Sequence, residues 1–535
     1  MLANDGGVQR WSIVRRNFLP RMSPAAMQLS GGRVATVAKS SCVLIDEYTS
    51  HSTVHGMRYI SKAGLLEKFF WITMLTICGL SACYIGNELW LKFRSMPTQL
   101  AVKDTHVPLY EFPFPSITIC PAIKVKKTKA LEYFSKFISI DNDTIKTELV
   151  YVMSALSTMQ QPTYFRMAEY VSKSKHLLPL FRDINLTDFM LTTLPTCDEL
   201  FGRCKWHGEI ISCCDDVFSL QRTEEGFCYS FNSLTSEAGK HCPLSEVLEN
   251  EGIVEEDDYM YPGCQLKRNT AVGTVTGLEV FLYKTNMSES LGLGQRDKDG
   301  ARVIIHTSYQ FPNAGDGIWL KSEEGRRLNI MISPVITVTS SRVKDLSVAA
   351  RGCVFPDERE LYIYHVYTQS SCLIQCRMEF ILFTCGCHMY FFIKPDDGKP
   401  MCGIPDLPCI NHNTRHIRML TPPKGTPGFE SRLIRDSLDC SQCLPTCYET
   451  THEIEMESSP DQRTSTWKLF SYLDVAYGNL GSKKYQRDIT FAWTDLLVAL
   501  GGVANLFLGF SILSVAEFVY WTLKICVNKF ITLYK

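Results

Sequence analysis

The stretch that decides the fold runs from Thr494 to Lys524 and reads TDLLVALGGVANLFLGFSILSVAEFVYWTLK. It is apolar and long enough to cross a bilayer as a helix, but it carries two features that a plain anchor does not need. A Gly-Phe-Ser step occupies Gly509 to Ser511, and a carboxylate follows at Glu517. A glycine costs a helix interior about 1 kcal/mol against alanine, and a mid-bilayer carboxylate costs about 2.5 to 3.5 kcal/mol. Such groups usually face protein or a water-filled path, so the stretch is typical of a pore-lining span.

A second apolar run lies nearer the start of the chain. The segment from Phe69 to Leu91 would span about 30 Å as a helix, which matches the hydrocarbon core of a membrane. It begins far from Met1 and lacks the small-residue cleavage site of a signal peptide. The 535-residue chain has a net charge of −1 and no basic stripe with interleaved aromatics, which argues against nucleic-acid binding.

Flanking charge predicts the orientation of the two spans. The first 68 residues hold nine Lys/Arg against four acids, and the tail after the second span carries three lysines and no acid. Because an excess of positive charge favours the cytosolic side, both termini are predicted inside and the long loop outside. The predicted organisation is a cytosolic segment 1–67, a first transmembrane helix 68–91, an extracellular domain 92–490, a pore-lining second helix 491–523 and a cytosolic tail 524–535.

Cysteines and glycosylation sequons test this topology independently. Eighteen of the 22 cysteines, from Cys120 to Cys447, lie in the predicted loop, an even number that permits up to nine bridges. So many thiols are ordinary in an oxidising compartment and unusual in the cytosol. Sequons for N-glycosylation occur only in the same loop, at Asn142, Asn185 and Asn286. The sequence therefore predicts an extracellular, disulfide-bonded glycoprotein domain.

The loop combines strand and helix patterns. Residues 110–121 read as one strand, with prolines at its start where a ladder donor is dispensable. Apolar residues recur at helical spacing over 127–160, and β-branched runs over 277–339 predict a sheet. The predicted fold class is therefore α+β, with no visible internal repeat.

Cysteines are densest in YTQSSCLIQCRMEFILFTCGC, residues 367–387. Cys372 and Cys376 are four residues apart and share one helical face, which a ladder of disulfides between two antiparallel helices would use. Cys440 and Cys443 form a Cys-x-x-Cys pair, for which zinc binding is the alternative role. Paired thiols are expected outside the cell, so disulfides are favoured and no metal site is predicted.

Motifs of common enzymes are absent from the chain. It has no HExxH, no P-loop and no GxSxG, so neither enzymatic activity nor a cofactor is predicted.

Several other motifs occur in an order typical of one family: the His55-Gly56 pair before the first span, FPSITIC after it, CYSFN at 228–232, YTQSSCLIQC, the Cys-Gly-Cys pair, CLPTC, and GGVANLFLGFS in the second span. Through these motifs, which cover about residues 45–525, the chain resembles the degenerin/epithelial sodium channel family of amiloride-sensitive sodium channels. The Tyr-x-Gln-Ser-x-Cys motif looks closest to the insect pickpocket branch.

This resemblance implies a trimeric channel in the plasma membrane, built from copies of the chain or together with related subunits. The second spans would line an amiloride-sensitive pore through which Na⁺ passes. The implied protein is an α+β membrane protein with two transmembrane helices and a disulfide-rich extracellular domain, which has a β-core with helical finger and thumb regions.

Individual residues take implied roles from their positions in the matching motifs. Gly509, Phe510 and Ser511 occupy the selectivity filter, and His55-Gly56 the cytosolic gating motif. Cys120 would pair with Cys228. Ten further cysteines would form disulfide bonds that stabilise the thumb: Cys353, Cys372, Cys376, Cys385, Cys387, Cys402, Cys409, Cys440, Cys443 and Cys447.

The filter assignment also has a physical basis. Three copies of Gly509 to Ser511 around an axis would present backbone carbonyls and hydroxyls at a narrow point, where they replace part of an ion's hydration shell. The alternative is that Gly509 is merely a small residue that allows close helix packing.

Above the filter, the chain departs from the acid-sensing members of the family. Those have an acid shortly before the Gly-Gly pair, at the position where this chain has Ala499, which is preceded by Val498. Asp495 lies one turn earlier on the same face, about two turns before Gly502. It would either form a ring of carboxylates at the outer mouth of the pore or serve only as a helix-start acid. With Glu517, these residues complete the predicted pore and gate.

Two other functional classes remain open at this point. A non-conducting receptor, adhesion protein or regulatory subunit would explain the extracellular domain but not Gly509, Ser511 and Glu517 inside a span. An ATP-gated trimeric channel shares the topology, but it needs several phosphate-binding lysines and does not contain the YTQSSC motif. The sequence leaves open the stimulus, an extracellular ligand, and the choice between homomer and heteromer.

Overall fold

The computed structural model describes residues 46, 48–62, 64–95, 98–138, 143–160, 163–239, 242, 264–291, 299–313, 315, 317–321, 326–393, 397–423, 425–460 and 470–534. The predicted glycosylation site Asn142 lies outside these residues. The chain divides into two compact units. The helical unit comprises residues 1–97 and 490–535, and the mixed unit comprises residues 98–489.

The described α-helices are numbered in chain order. They are α1 (Met57–Lys62), α2 (Leu65–Ser95), α3 (Lys127–Ser135), α4 (Asp143–Ser157), α5 (Met167–Ser174), α6 (Leu186–Thr193), α7 (Cys197–Leu200), α8 (Ser341–Lys344), α9 (Val348–Arg351), α10 (Gln369–Cys385), α11 (Leu407–His412), α12 (Thr414–Arg418), α13 (Ser431–Arg435), α14 (Trp493–Leu508) and α15 (Ile512–Tyr534).

The described strands are numbered in the same way. They are β1 (Thr98–Pro108), β2 (Ser116–Pro121), β3 (Phe201–Trp206), β4 (Glu209–Ile211), β5 (Ser219–Thr223), β6 (Gly226–Phe231), β7 (Leu278–Tyr283), β8 (Ala301–His306), β9 (Ile318–Leu320), β10 (Arg326–Thr339), β11 (Glu449–Pro460), β12 (Phe470–Tyr477) and β13 (Gly481–Ile489).

The helical unit contains the two apolar stretches found in the sequence. The 31-residue helix α2 is long and apolar enough to cross a membrane, and none of its side chains is buried within the unit. A helix that is apolar on all sides and unburied suits lipid or further helices around it. Helices α14 and α15 pass the same test only together, as a pair that is bent by 73° at a short break. The described chain thus has one candidate span, or two if the bent pair is a single span.

Helices α2 and α14 pack against each other. Near one end, the rings of Phe93 and Trp493 lie edge to face with their centroids 6.1 Å apart. At Gly86, an added Cβ would lie 3.5 Å from a methyl carbon of Leu500, so this small residue permits the close approach of the two helices.

Two sheets form the framework of the mixed unit. The larger sheet has eight strands in the order β1-β13-β10-β12-β7-β3-β4, with β11 paired to β10 off this path. The smaller sheet has five strands in the order β5-β6-β2-β8-β9. Strand β10 is long enough to pair with β12 through its first half and with β13 through its second half, in parallel both times. One buried apolar cluster includes side chains of both sheets and of α3 to α6.

The strands predicted over 277–339 are present, but they belong to two sheets and not to one. Strands β7 and β10 lie in the larger sheet, whereas β8 lies in the smaller one. Within 110–121 the strand begins only at Ser116, because the preceding Pro113 and Pro115 cannot donate to a ladder. The helical pattern over 127–160 corresponds to two helices, α3 and α4.

Nine disulfides link cysteines of the mixed unit. Cys120 pairs with Cys228, as the family resemblance implied. The ten cysteines assigned to the thumb pair among themselves, as Cys353–Cys447, Cys372–Cys443, Cys376–Cys440, Cys385–Cys409 and Cys387–Cys402. The remaining bonds are Cys197–Cys214, Cys204–Cys213 and Cys242–Cys264.

The disulfide ladder differs from the prediction in one respect. Cys372 and Cys376 lie on α10 as expected, but their partners Cys443 and Cys440 lie in a turn and not on a second helix. The turn-forming segment Cys440–Cys443 is closed by a hydrogen bond from Cys443 N to Cys440 O, 2.9 Å long. Because Cys440 and Cys443 are three residues apart in this turn, both reach the face of α10 that carries Cys372 and Cys376. A second helix is not needed for this pairing.

Candidate functional site

The predicted filter residues form the break between α14 and α15. Helix α14 ends where Gly509 takes the left-handed conformation, with φ of 62°, which glycine adopts without a Cβ clash. The N–H of Gly509 donates to Asn505 O at 2.8 Å, and that of Phe510 to Ala504 O at 3.3 Å. By contrast, the carbonyl oxygens of Gly509 and Phe510 accept no hydrogen bond from any residue that the structure describes. The break therefore holds two uncommitted carbonyls inside an apolar stretch.

Ser511 starts the second half of the bent pair. Its hydroxyl oxygen lies 3.3 Å from the N–H of Ser514, and the Ser514 hydroxyl oxygen lies 3.2 Å from the N–H of Ser511. These two reciprocal contacts satisfy backbone donors at the start of α15, in the manner of an N-terminal cap. The break is therefore stabilised on both sides, by a left-handed glycine before it and by a serine cap after it.

The predicted gating motif lies against this break. The N–H of His55 donates to Leu508 O at 3.0 Å, which satisfies one of the last carbonyls of α14. A Cβ on Gly509 would overlap the imidazole of His55, so only glycine permits this approach. Gly56 follows with φ of 86°, again in the left-handed region. The fold thus brings together two motifs that lie more than 450 residues apart in the sequence.

Glu517 is held by the same N-terminal segment. Its Oε2 accepts hydrogen bonds from the Thr53 hydroxyl at 3.0 Å and from the Thr53 N–H at 3.3 Å. The Thr53 hydroxyl also lies 2.8 Å from that of Ser514, which is 1% exposed. A carboxylate in a span requires such donors. The sequence identifies this carboxylate but not its partners.

Aromatic contacts extend this N-terminal segment along α15. The ring centroid of Trp521 lies 6.2 Å from that of Tyr48 and 6.5 Å from that of His51. The ring of Phe518 also contacts Tyr48, at 6.3 Å. The segment from Tyr48 to Gly56 therefore follows α15 for about two turns and ends at the break.

The other predicted pore residues lie on α14, away from this contact. Asp495 is exposed, and its carboxylate accepts a hydrogen bond of 3.0 Å from the N–H of Ala492 at the start of the helix. Val498 and Gly502 are also exposed, and a Cβ on Gly502 would meet nothing within 4 Å. Ala499 is partly exposed. This part of α14 therefore presents an open surface in the single chain, with a capping contact at Asp495.

The two described glycosylation sequons lie on the surface of the mixed unit. Asn185 and Asn286 are exposed. Each begins a short helical turn, where its side-chain oxygen accepts from a backbone N–H two residues later, in Thr187 and Ser288 respectively.

Comparison with known proteins gives consistent matches over most of the chain. A family model described as the amiloride-sensitive sodium channel matches residues 48–521. The chain is 24% identical to sodium channel protein Nach of Drosophila melanogaster over 89% of this chain and 86% of that protein. It is 24% identical to pickpocket protein 19 of the same fly over 88% of each chain. It is 21% identical to acid-sensing ion channel 4-B of Danio rerio over 90% of this chain and 76% of that protein.

Proposed function

The chain belongs to the amiloride-sensitive sodium channel family, and on this premise we propose that it is a pore-forming subunit of a trimeric sodium channel. The family consists of membrane channels and not of enzymes. In the proposed channel, α2 and the bent pair α14–α15 cross the plasma membrane, both termini are cytosolic, and the mixed unit is extracellular. Na⁺ is the permeant ion, and amiloride blocks the current.

The observation that carries this proposal is the break from Gly509 to Ser511. Three copies around an axis would direct six uncommitted carbonyl oxygens, three from Gly509 and three from Phe510, to one level of the pore. Carbonyl dipoles there replace part of the hydration shell of an entering cation. The C-terminal end of α14, which carries partial negative charge, points to the same level and favours a cation. A segment that only anchors a protein in the membrane does not need such a break, because a continuous apolar helix is sufficient.

The contacts of the N-terminal segment support a gating role for it. His55 supplies a donor to the end of α14, and Thr53 supplies two donors to Glu517 on α15. A shift of this segment would therefore remove hydrogen bonds from both helices that flank the break. We infer that the channel opens and closes through the position of this segment relative to the break, whatever the stimulus.

Current measurements test the proposal. The chain would be expressed alone and with a related subunit, and the inward current recorded before and after external Na⁺ is replaced by a large organic cation. We expect the current to vanish on replacement and to fall when amiloride is added. Surface biotinylation is the control, because protein that reaches the surface and yet carries no current in either combination would contradict the proposal. That result would favour a non-conducting receptor or regulatory subunit.

A further inference from the structure

A basic surface of the mixed unit lies beside the second half of α10. Residues 412–436 hold five Lys/Arg and two acids, although the whole chain has a net charge of −1. His416 of this stretch stacks on Phe380 of α10, with ring centroids 5.5 Å apart. The surface is named the arginine patch here, and its described members are Arg166, Arg415, Arg418, Arg432 and Arg435.

An exposed aromatic ring belongs to this patch. Phe165 is 51% exposed, and the guanidiniums of Arg418 and Arg166 lie over its ring at 4.8 and 5.6 Å from the centroid. Phe165 and Arg166 lie in the turn before α5, whereas Arg418 ends α12. Two separate parts of the chain therefore contribute to one surface.

Helix α13 is joined to the same surface. Asp436 directly follows this helix and pairs with Arg415 of α12 across 3.3 Å. Arg432 and Arg435 are exposed, and neither has an acidic partner among the described residues. These two guanidiniums are therefore available to an anionic group.

Apolar side chains are exposed in the same stretch. Leu433 and Ile434 lie between the two arginines of α13, and Met419 follows the last residue of α12. Guanidiniums bind carboxylates in a bidentate manner and stack on aromatic faces. A surface that mixes them with apolar side chains fits a peptide that carries both carboxylates and apolar residues.

The chain itself contains a peptide of this composition. Residues 243–263, which lie outside the described residues, read PLSEVLENEGIVEEDDYMYPG. They include seven carboxylates and no Lys or Arg, together with aliphatic and aromatic residues. Both the charge and the apolar content of this acidic segment are complementary to those of the arginine patch.

Described residues place the two ends of the acidic segment. Cys242 and Cys264 form a disulfide with their Cα atoms 5.6 Å apart, and they are buried in one cluster with Tyr364 and Val366, just before α10. From the start of α10 to Phe380 the helix rises by about 17 Å. Because the segment has 21 residues and its ends are joined, it can extend to about 33 Å at most. That length is enough to reach the patch.

We propose that the arginine patch binds the acidic segment, residues 243–263, of the same chain. The guanidiniums of Arg432 and Arg435 donate to carboxylates of the segment, and its apolar side chains contact Phe165, Leu433 and Ile434. The contact ties the chain after β6 to α12 and α13, and it does not depend on conduction.

Zero-length cross-linking tests the contact in the intact chain. Arg432→Lys and Arg435→Lys keep the positive charge and supply an amine, which a water-soluble carbodiimide joins to a carboxylate in direct contact. The purified full-length protein in detergent would be treated, and the band of a single chain digested and examined by mass spectrometry. We expect both introduced lysines to be joined to carboxylates within 243–263.

The chain offers both controls for this experiment. The native ion pair Lys344–Asp357, 3.0 Å long, should be cross-linked, whereas Lys103, exposed on β1, should not be joined to the acidic segment. If Lys344 and Asp357 are joined but neither introduced lysine is joined to the segment within one chain, the proposal is wrong.

A peptide assay measures the charge requirement. In a full-length variant whose seven acids within 243–263 are replaced by the corresponding amides, the patch is open to a labelled synthetic peptide of the parental sequence. We expect this peptide to bind at least about tenfold more tightly than its amide counterpart, and less tightly as salt screens the charges. A tethered segment acts at about millimolar effective concentration, so no binding of the parental peptide at about 1 mM, or equal binding of both peptides, would overturn the proposal.

Variants of the patch assign the peptide to it. Arg432→Gln/Arg435→Gln, introduced into the same amide variant, should weaken binding of the parental peptide several-fold, and Lys103→Gln should leave it unchanged. An equal loss in both would contradict the assignment. A heparin fragment is the competing probe, and binding of heparin without binding of the peptide would assign the patch to a sulfated polysaccharide and refute the proposal.

Discussion

The Ser511 hydroxyl both caps α15 and lies at the narrowest predicted level of the pore. In Ser511→Cys, the sulfur is a weaker acceptor than oxygen and is reactive toward thiol reagents and soft metals. We expect the variant to change the selectivity for Na⁺ over K⁺, or to make the current sensitive to such reagents. The reversal potential under mixed ions, and block by Cd²⁺, would measure these effects.

The matched control for Ser511→Cys is Leu513→Cys. Leu513 is only two residues away, but its side chain is 74% exposed on α15. Its current should resist the same reagents. If Ser511→Cys conducts with parental selectivity and shows no thiol effect, the filter assignment is wrong.

Asp495 also has a capping contact, and its proposed second role depends on charge. Three carboxylates at one level of a trimer would concentrate cations there when the ionic strength is low. Asp495→Asn keeps an acceptor for the Ala492 N–H but loses the charge. We therefore predict a reduced inward conductance at low salt, with the reduction shrinking as salt screens the ring over the Debye length.

Asp495→Ala separates the two roles of this side chain. It removes the charge and the acceptor together, so any additional loss of folded protein relative to Asp495→Asn reports the cap, worth roughly 0.3 to 1 kcal/mol. Equal conductance of Asp495→Asn and parent at every Na⁺ concentration would leave Asp495 as a helix-start residue only.

The contact of Thr53 with Ser514 offers a direct test of the gating segment. The two hydroxyl oxygens lie 2.8 Å apart, so cysteines at both positions come within disulfide range. In the variant Thr53→Cys/Ser514→Cys, an oxidant should lock the segment onto α15 and change the current, and a reductant should restore it. The pair Thr53→Cys/Leu513→Cys is the control, because the Leu513 side chain is exposed, whereas that of Ser514 is buried. Unchanged current in a cross-linked channel would rule out movement of this segment as the gate.

At the scale of elements, the disulfide ladder ties α10 to the turn at Cys440–Cys443. In Cys376→Ser, the bond to Cys440 is lost, and loss of a native bridge typically costs about 2 to 5 kcal/mol. We expect this variant to reach the cell surface much less, while the single-channel current of the remaining channels stays near that of the parent. Surface biotinylation and single-channel recording would measure the two effects. Normal surface delivery would refute a structural role for this bridge.

At the scale of the whole molecule, a buried histidine makes the mixed unit sensitive to acid. His306 is 5% exposed, and burial lowers its pKa to about 4. Its Nδ1 lies 2.8 Å from Thr307 O and its Nε2 lies 2.8 Å from the Thr118 hydroxyl. The neutral ring suits these contacts, with Nδ1–H donating to the carbonyl and Nε2 accepting from the hydroxyl.

The sign of the pH effect follows from this shift. The unfolded chain takes up the proton near its ordinary pKa, but the folded chain takes it up only near pH 4, so stability is constant above about pH 6.5 and falls as the pH drops. At pH 5 the loss from this histidine amounts to about 2 kcal/mol. His306→Gln should therefore lose less stability between pH 7 and pH 5 than the parent does. Thermal unfolding of the purified chain would show this, with the exposed His412→Gln as control. Equal pH slopes in the parent and His306→Gln would contradict the assignment.

Much of the architecture could be predicted from sequence because it depends on local properties. The two apolar stretches follow from the length of their hydrophobic runs, and the disulfide-rich nature of the loop follows from its number of cysteines. The runs within 277–339 form strands because β-branched residues suit a pleated surface. In the candidate site, Gly509 was identifiable because a glycine inside a membrane-spanning helix is costly and therefore indicates a specific role.

Only the tertiary structure decided features that depend on distant parts of the chain. The division of β7, β8 and β10 between two sheets is one of these, because periodicity identifies a strand but not its neighbours. The pairing of Cys197, Cys204, Cys213 and Cys214 is another, because their spacing allows more than one arrangement.

The contact of Thr53 with Glu517 is the clearest example of a feature that only the tertiary structure decided. The two residues are 464 positions apart, and nothing local to either one indicates the other. The sequence by itself determined that Glu517 needs a donor, since an unpaired carboxylate is costly inside a span. Which donor it finds was decided by the path of the N-terminal segment along α15, because a hydrogen bond depends on where the folded chain places its two groups.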